Sequence, residues 1–78
     1  MNRTEIFEKL NEIFRDVFDD DIAVTDTTSA DDIEDWDSLM HITLVSAIED
    51  EFDIKFDMKV VLSLKNVGEM VDVISEQI

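Results

Sequence analysis

Apolar residues recur at helical spacing near the start of the chain. Ile6, Phe7, Leu10, Ile13, Phe14, Val17 and Phe18 fall on one face of a helix. Asn2, with Glu5 three residues on, reads as a capping box in which Asn replaces the usual Ser or Thr. Asp19-Asp20-Asp21 marks the end, because three adjacent acids oppose the negative C-terminal dipole. From about Asp19 to Trp36 the helical pattern lapses. Thr25, Thr27, Thr28 and Ser29 compete with helix through side-chain-to-backbone bonds. Ile22, Val24, Ile33 and Trp36 predict that this segment is nonetheless pinned to the body. A connection this long within a compact domain is often functional.

The helical period returns from about Ser38 to Phe52. Leu39, Ile42, Leu44, Val45, Ile48 and Phe52 supply its apolar positions, and Asp37 is the expected N-cap. Ile54 and Phe56 alternate with polar neighbours, but no second strand pattern exists to pair with them, so they read as extended linker. A short helix is expected over Met58 to Ser63, capped by Asp57 and stapled by Phe56 against Val61. The last helix starts near Asn66, with Glu69 as capping partner and Val67, Met70, Val71, Ile74 and Ile78 as its stripe. Gly68 in its first turn costs up to ~1 kcal/mol relative to Ala. The pattern therefore predicts an all-α domain over residues 1–78: a small four-helix bundle, three principal helices plus one short helix, with a long loop between helices one and two.

Size makes this bundle marginal. A chain this short buries roughly 60% of its unfolded surface, and its stability is of order 5 kcal/mol or less. There is no cysteine, so no disulfide adds to that, which suits a reducing cytoplasm. Charge changes the picture more. Twenty-one Asp and Glu against six Lys and Arg give a net −15. Such a surface repels nucleic acid and anionic membranes and attracts basic patches on other proteins with a fast, salt-sensitive on-rate. The N-terminal apolar residues are interrupted by Glu5, Glu8, Lys9, Asn11 and Glu12, so they form a stripe rather than a signal peptide core. No run approaches the ~18 apolar residues of a membrane span. A monomer in the cytoplasm is expected.

The candidate chemistry centres on Ser38. Placed at the first helical position, its hydroxyl faces solvent, and a phosphate on it would meet free backbone N–H groups and the positive end of the helix dipole. That suits a covalent attachment point, although serine is also an ordinary residue at helix starts. His41 lies on the same helical face, which raises a Ser-His nucleophile pair. The only glycine is Gly68, however, and no oxyanion loop or nucleophile elbow is present. His41 is instead expected to be exposed or to face a partner. The acids Asp31, Asp32, Glu34, Asp35 and Asp37 fail calcium-loop spacing, since a loop starting at Asp31 puts Trp36 where glycine belongs and Ile42 at the final ligand. Weak divalent binding is expected there, not a dedicated metal site. Trp36 reads as a hydrophobic anchor at the entry to the serine helix.

Asp37-Ser38-Leu39, followed by the apolar helix ending Ile48-Glu49-Asp50-Glu51-Phe52-Asp53-Ile54, resembles the acyl carrier protein family across essentially the whole chain. The resemblance implies that a phosphopantetheinyl transferase moves 4′-phosphopantetheine from coenzyme A to Ser38, with Asp37 and Leu39 completing the motif. Acyl or aminoacyl groups would then ride as thioesters on the arm, and the protein would present them to loading and transferring enzymes that bear basic patches. It would catalyse nothing itself. An acidic helical adaptor that binds basic partners without an arm is the alternative. Met40 and Thr43 stand where fatty-acid carriers commonly have acids, whereas Glu49 and Asp50 keep theirs. The Trp-Asp-Ser-Leu-Met-His run is more like stand-alone carriers of specialised pathways. Met40, His41, Thr43, Glu49 and Asp50 are the expected partner-facing residues. A fatty cargo would need an apolar cleft between the serine helix and Val60, Val61 and Leu62. An amino acid or short acyl group would not.

Overall fold

The computed structural model describes residues 2–78. Four α-helices follow in order: α1 Arg3–Phe18, α2 Ser38–Phe52, α3 Met58–Ser63 and α4 Val67–Gln77. The expected bundle is present, with no strand among the described residues, and Ile54–Phe56 is extended linker. The loop from α1 to α2 contains one element that the polar spacing does not reveal, a single 3₁₀ turn over Ala30–Asp32. The Asp32 carboxylate closes it by accepting from the Ser29 N–H at 3.0 Å.

The caps explain the helix bounds. The Asn2 side chain accepts from the Glu5 N–H at 2.8 Å, and the Glu5 carboxylate accepts from the Asn2 N–H at 3.4 Å, a full capping box. At the other end Asp19 turns into the left-handed region, with φ 51 and ψ 46. Asp53 does the same after α2, where the Ile54 N–H returns to the Glu49 carbonyl at 3.1 Å. Short polar side chains tolerate this conformation better than most. At α4 the Asn66 side chain accepts from the Glu69 N–H at 2.9 Å, whereas the Glu69 carboxylate reaches one residue further back, to the Lys65 N–H at 3.0 Å.

The core forms where α1 meets α2 and α4. Ile6, Leu10 and Phe14 from α1, Leu44 and Ile48 from α2, and Val67, Met70, Val71 and Ile74 from α4 are fully enclosed. Ile78, at the end of the expected α4 stripe, is exposed instead, because the chain has run past the core. α2 departs more sharply from its pattern. Leu44, Val45, Ile48 and Phe52 point inward, but Leu39 and Ile42 lie on the outer face with Thr43, Ser46 and Asp50. Apolar residues therefore occupy both faces of the serine helix.

The long loop is held at three points. Val24 and Trp36 are buried, and Ile22 and Ile33 are half-buried, as the pinned-segment expectation requires. The Val24 N–H also donates to the Asn11 side chain of α1 at 2.7 Å. The third point is the start of α4, whose first two N–H groups donate to loop carbonyls: Val67 to Thr28 at 2.8 Å and Gly68 to Asp26 at 3.0 Å. Helix starts leave four such donors without intrahelical partners, and here the loop satisfies two of them. Arg3 ties the same corner together by pairing with Asp26 and with Asp72 of α4. Those bonds, Asp26 first and then Asp72, raise the affinity of the guanidinium for its proton.

Gly68 is thus more than a tolerated helix position. A β-carbon there would stand 2.7 Å from the Asp26 carbonyl oxygen, and that oxygen is backbone held by a hydrogen bond. Gly68→Ala is expected to destabilise the protein by about 1–2 kcal/mol, the cost of overpacking less the gain in helix propensity. Urea unfolding should show a lower midpoint with an unchanged slope. A midpoint at or above that of the wild type would mean the loop shifts freely and is not docked on α4.

Candidate functional site

The approach to Ser38 is built from short-range bonds. The Trp36 N–H donates to the Ile33 carbonyl at 3.2 Å, and the Asp37 N–H to the Asp35 carbonyl at 3.1 Å, which folds the acidic run into consecutive turns. Asp37 is extended, at φ −106 and ψ −173, and its carboxylate accepts from the Met40 N–H at 2.9 Å. Its carbonyl takes the first helical bond, from the His41 N–H at 2.8 Å. Asp37 is therefore the N-cap and Ser38 the first helical residue, as its spacing predicts. The Ser38 side chain is exposed. The positive end of α2 lies at this serine, next to the carboxylates of Asp35 and Asp37.

Below Ser38 runs a groove of about 360 Å³ between the start of α2 and α3, lined among others by Asp37, Ser38, Trp36, His41, Val61 and Lys65. Leu62 also borders it, as the cleft expectation holds, but Val60 does not. A second depression of about 260 Å³ lies further along α2, lined among others by Ile42, Glu49, Phe56 and Met58. Val61 borders both and separates them.

His41 does not face outward as expected. The Trp36 indole N–H donates to His41 Nδ1 at 3.1 Å, and His41 Nε2 lies 2.9 Å from the Val61 carbonyl. Only the neutral tautomer with the proton on Nε2 serves both bonds. The rings stack at 5.8 Å, and Trp36 continues edge-on into Phe14 of α1 at 5.3 Å. With both nitrogens engaged, the imidazole has none free to activate Ser38, so the Ser-His reading has no geometric support. For the same reason it offers a partner no free ring nitrogen. Each of these hydrogen bonds is worth ~1 kcal/mol net, but leaving its buried groups unpaired costs ~1–3 kcal/mol per group.

The other expected partner-facing residues divide. Asp50 and Thr43 are exposed, although the Thr43 hydroxyl bonds back to the Leu39 carbonyl at 3.1 Å. Met40 is half-buried against the core. Glu49 is half-buried too, and its carboxylate accepts from the Phe56 N–H at 2.8 Å, so it holds the linker rather than standing free. The apolar pattern placed Leu39 and Ile42 on the stripe of the serine helix, and it gave none of the apolar residues near Ser38 an outward face. Leu39 is 72% exposed, Ile42 58%, Met58 63% and Leu62 77%. For Leu39 and Ile42 the signal was present in the pattern, since α2 carries more apolar residues than one face of a helix can bury. Among the described residues no group of His, Cys, Asp or Glu is placed to hold a metal ion.

An exposed serine at a helix start, above a groove and on a small acidic bundle, defines a protein that can bear a prosthetic group and show it to others. Residues 8–74 match the family of the phosphopantetheine attachment site. The chain is 34% identical to an acyl carrier protein of Petrotoga mobilis, covering 100% of this chain and 93% of that one. It is 38% identical to an acyl carrier protein of Picosynechococcus sp., covering 94% and 91%. Its fold is similar to the solution NMR structure of a holo acyl carrier protein from Geobacter metallireducens, with TM-score 0.85, 43% identity and coverage of 91% of this chain and 83% of that one. The chain belongs to the acyl carrier protein family: a carrier and not an enzyme, working through covalently attached 4′-phosphopantetheine.

Proposed function

We infer that Ser38 is the attachment residue, and that the protein carries acyl or aminoacyl groups as a discrete, monomeric carrier in the cytoplasm. The observation that carries this reading is the exposed Ser38 side chain at the first position of α2, bordering the 360 Å³ groove. These residues fit the arm. The positive end of α2 favours the phosphodiester, exposure and counter-ions screen Asp35 and Asp37, and the groove gives the arm a surface. When bound, the arm supplies a thiol that holds cargo as a thioester. The chain contributes position and display. Asp37 and Leu39 frame the serine as the motif does. An adaptor without an arm leaves the match to the attachment family unexplained.

The test is intact mass after incubation with coenzyme A and several broad-specificity phosphopantetheinyl transferases. A gain of one phosphopantetheine moiety is expected. No gain with any transferase would sink the reading.

Partner enzymes, the transferase among them, are proposed to dock on the outer face of α2. Leu39 and Ile42 lie within one turn or so of Ser38, and Asp50 stands ~18 Å along the helix at 1.5 Å per residue. That arrangement suits an apolar contact beside the arm and a basic patch further off. Asp50→Lys is expected to slow association with the transferase severalfold at low salt, and Glu76→Lys, at an exposed position near the end of α4, to slow it less. Stopped-flow binding checks this, and equal effects would show that bulk charge and not this face steers docking.

A further inference from the structure

We propose that Lys65 is a positioning residue for the arm: it pairs with the phosphodiester on Ser38 and keeps the arm on the α3 side of that serine, off the outer face of α2. The proposal rests on Ser38 being the attachment residue. It starts from where the positive charges lie. Of the six Lys and Arg, the three on α1 are all paired: Arg3 with Asp26 and Asp72, Lys9 with Glu51, and Arg15 with Asp21. Lys55, Lys59 and Lys65 form no ion pair among the described residues. Residues 58–68 carry Lys59 and Lys65 and no acid, in a chain of net −15. α3 and the connection into α4 are thus a positive island on an acidic surface.

Of these lysines only Lys65 borders the groove with Ser38, and Lys55 and Lys59 border neither depression. Its backbone is fixed there, because its N–H donates to the Glu69 carboxylate at 3.0 Å, while the residue itself stays exposed. The one carboxylate on the groove belongs to Asp37, and it is engaged by the Met40 N–H as the cap of α2. A phosphodiester on Ser38 brings a further negative charge beside Asp35 and Asp37. Lys65 answers it from the α3–α4 connection with an ammonium on a flexible four-carbon stem. Once the phosphate is drawn to that side, the hydrocarbon of the arm meets Leu62 and Leu64, which border the same groove. Leu39 and Ile42 stay clear for a docking enzyme. An exposed ion pair is weak, so it biases the arm only severalfold, and a partner can still draw the arm out.

Isotope-labelled protein is loaded from coenzyme A, loading is confirmed by mass, and the unloaded and loaded forms are compared by NMR at low and high salt. Loading is expected to shift the amide resonances of Leu64, Lys65 and Asn66. Nuclear Overhauser contacts are expected from the geminal methyls of the arm to Leu62 and Leu64. In Lys65→Gln, which keeps the backbone N–H, those contacts should fall severalfold. Lys59→Gln removes the same charge from an exposed position on α3 outside the groove, and should keep them. High salt should weaken them in the wild type. Their absence from the loaded wild type, contacts to Leu39 or Ile42 in their place, or an unchanged pattern in Lys65→Gln would overturn the proposal. An equal loss in Lys59→Gln would do so too, since net charge and not Lys65 would then hold the arm. Failure to load, or loading that survives Ser38→Ala, overturns the attachment reading instead, and mass alone reports it.

Discussion

Ser38→Ala is expected to abolish phosphopantetheine loading completely while leaving the bundle intact. The loss is total because the bond to the arm needs the serine oxygen, and alanine has none. The fold is spared because the Ser38 side chain is exposed and the N-cap bonds of α2 come from Asp37. Alanine is also the better helix former. The change in stability should thus stay within about 0.5 kcal/mol, as for surface positions generally. Intact mass and urea unfolding read the two halves independently. Loading that survives would move the attachment to another hydroxyl, with Ser46 the next candidate on the exposed face of α2.

Trp36→Ala is expected to have the largest effect on stability. Removing a buried large aromatic costs ~3–5 kcal/mol. Trp36 is enclosed between Phe14, Phe18 and His41, and its indole N–H is engaged. Truncation opens a cavity against α1 and leaves His41 Nδ1 without its donor. Against a total of order 5 kcal/mol for a chain this small, that puts much of the population near unfolding at 25 °C. Circular dichroism in urea measures it, and added salt should recover part of the loss by screening the net −15 charge. A loss below about 1 kcal/mol, the ordinary scale for a point change, would mean that Trp36 is a lid and not a wedge. Loading of Ser38 should fall in proportion to the unfolded fraction, since this residue fixes where the loop hands over to α2.

Much of the architecture was legible because the forces that set it are local. Asn2, Asp37, Asp57 and Asn66 each cap a helix through an N–H two or three residues away, so spacing alone located four helix starts. The α1 stripe was legible because one face meets the core and the other meets water. α2 was less so. Its apolar residues exceed one face, and periodicity cannot tell Leu44, which is fully buried, from Leu39, which is not. The 3₁₀ turn was hidden because polar residues serve both loops and single turns. Gly68 looked like a weak helix position because its neighbour Asp26 is far away in sequence.

What the sequence by itself determined was the family, the helix order and the place of Ser38 at the start of α2. Each rests on residue identity and on bonds spanning only a few positions. What only the tertiary structure decided was which groups remain free. His41 and Glu49 look like available polar side chains along the chain, yet one is tied between Trp36 and Val61 and the other to the linker. Leu39 and Ile42 look like core and are not. The reason is physical: a hydrogen bond or a burial depends on what the folded chain brings opposite, and partners from a different element leave no period behind.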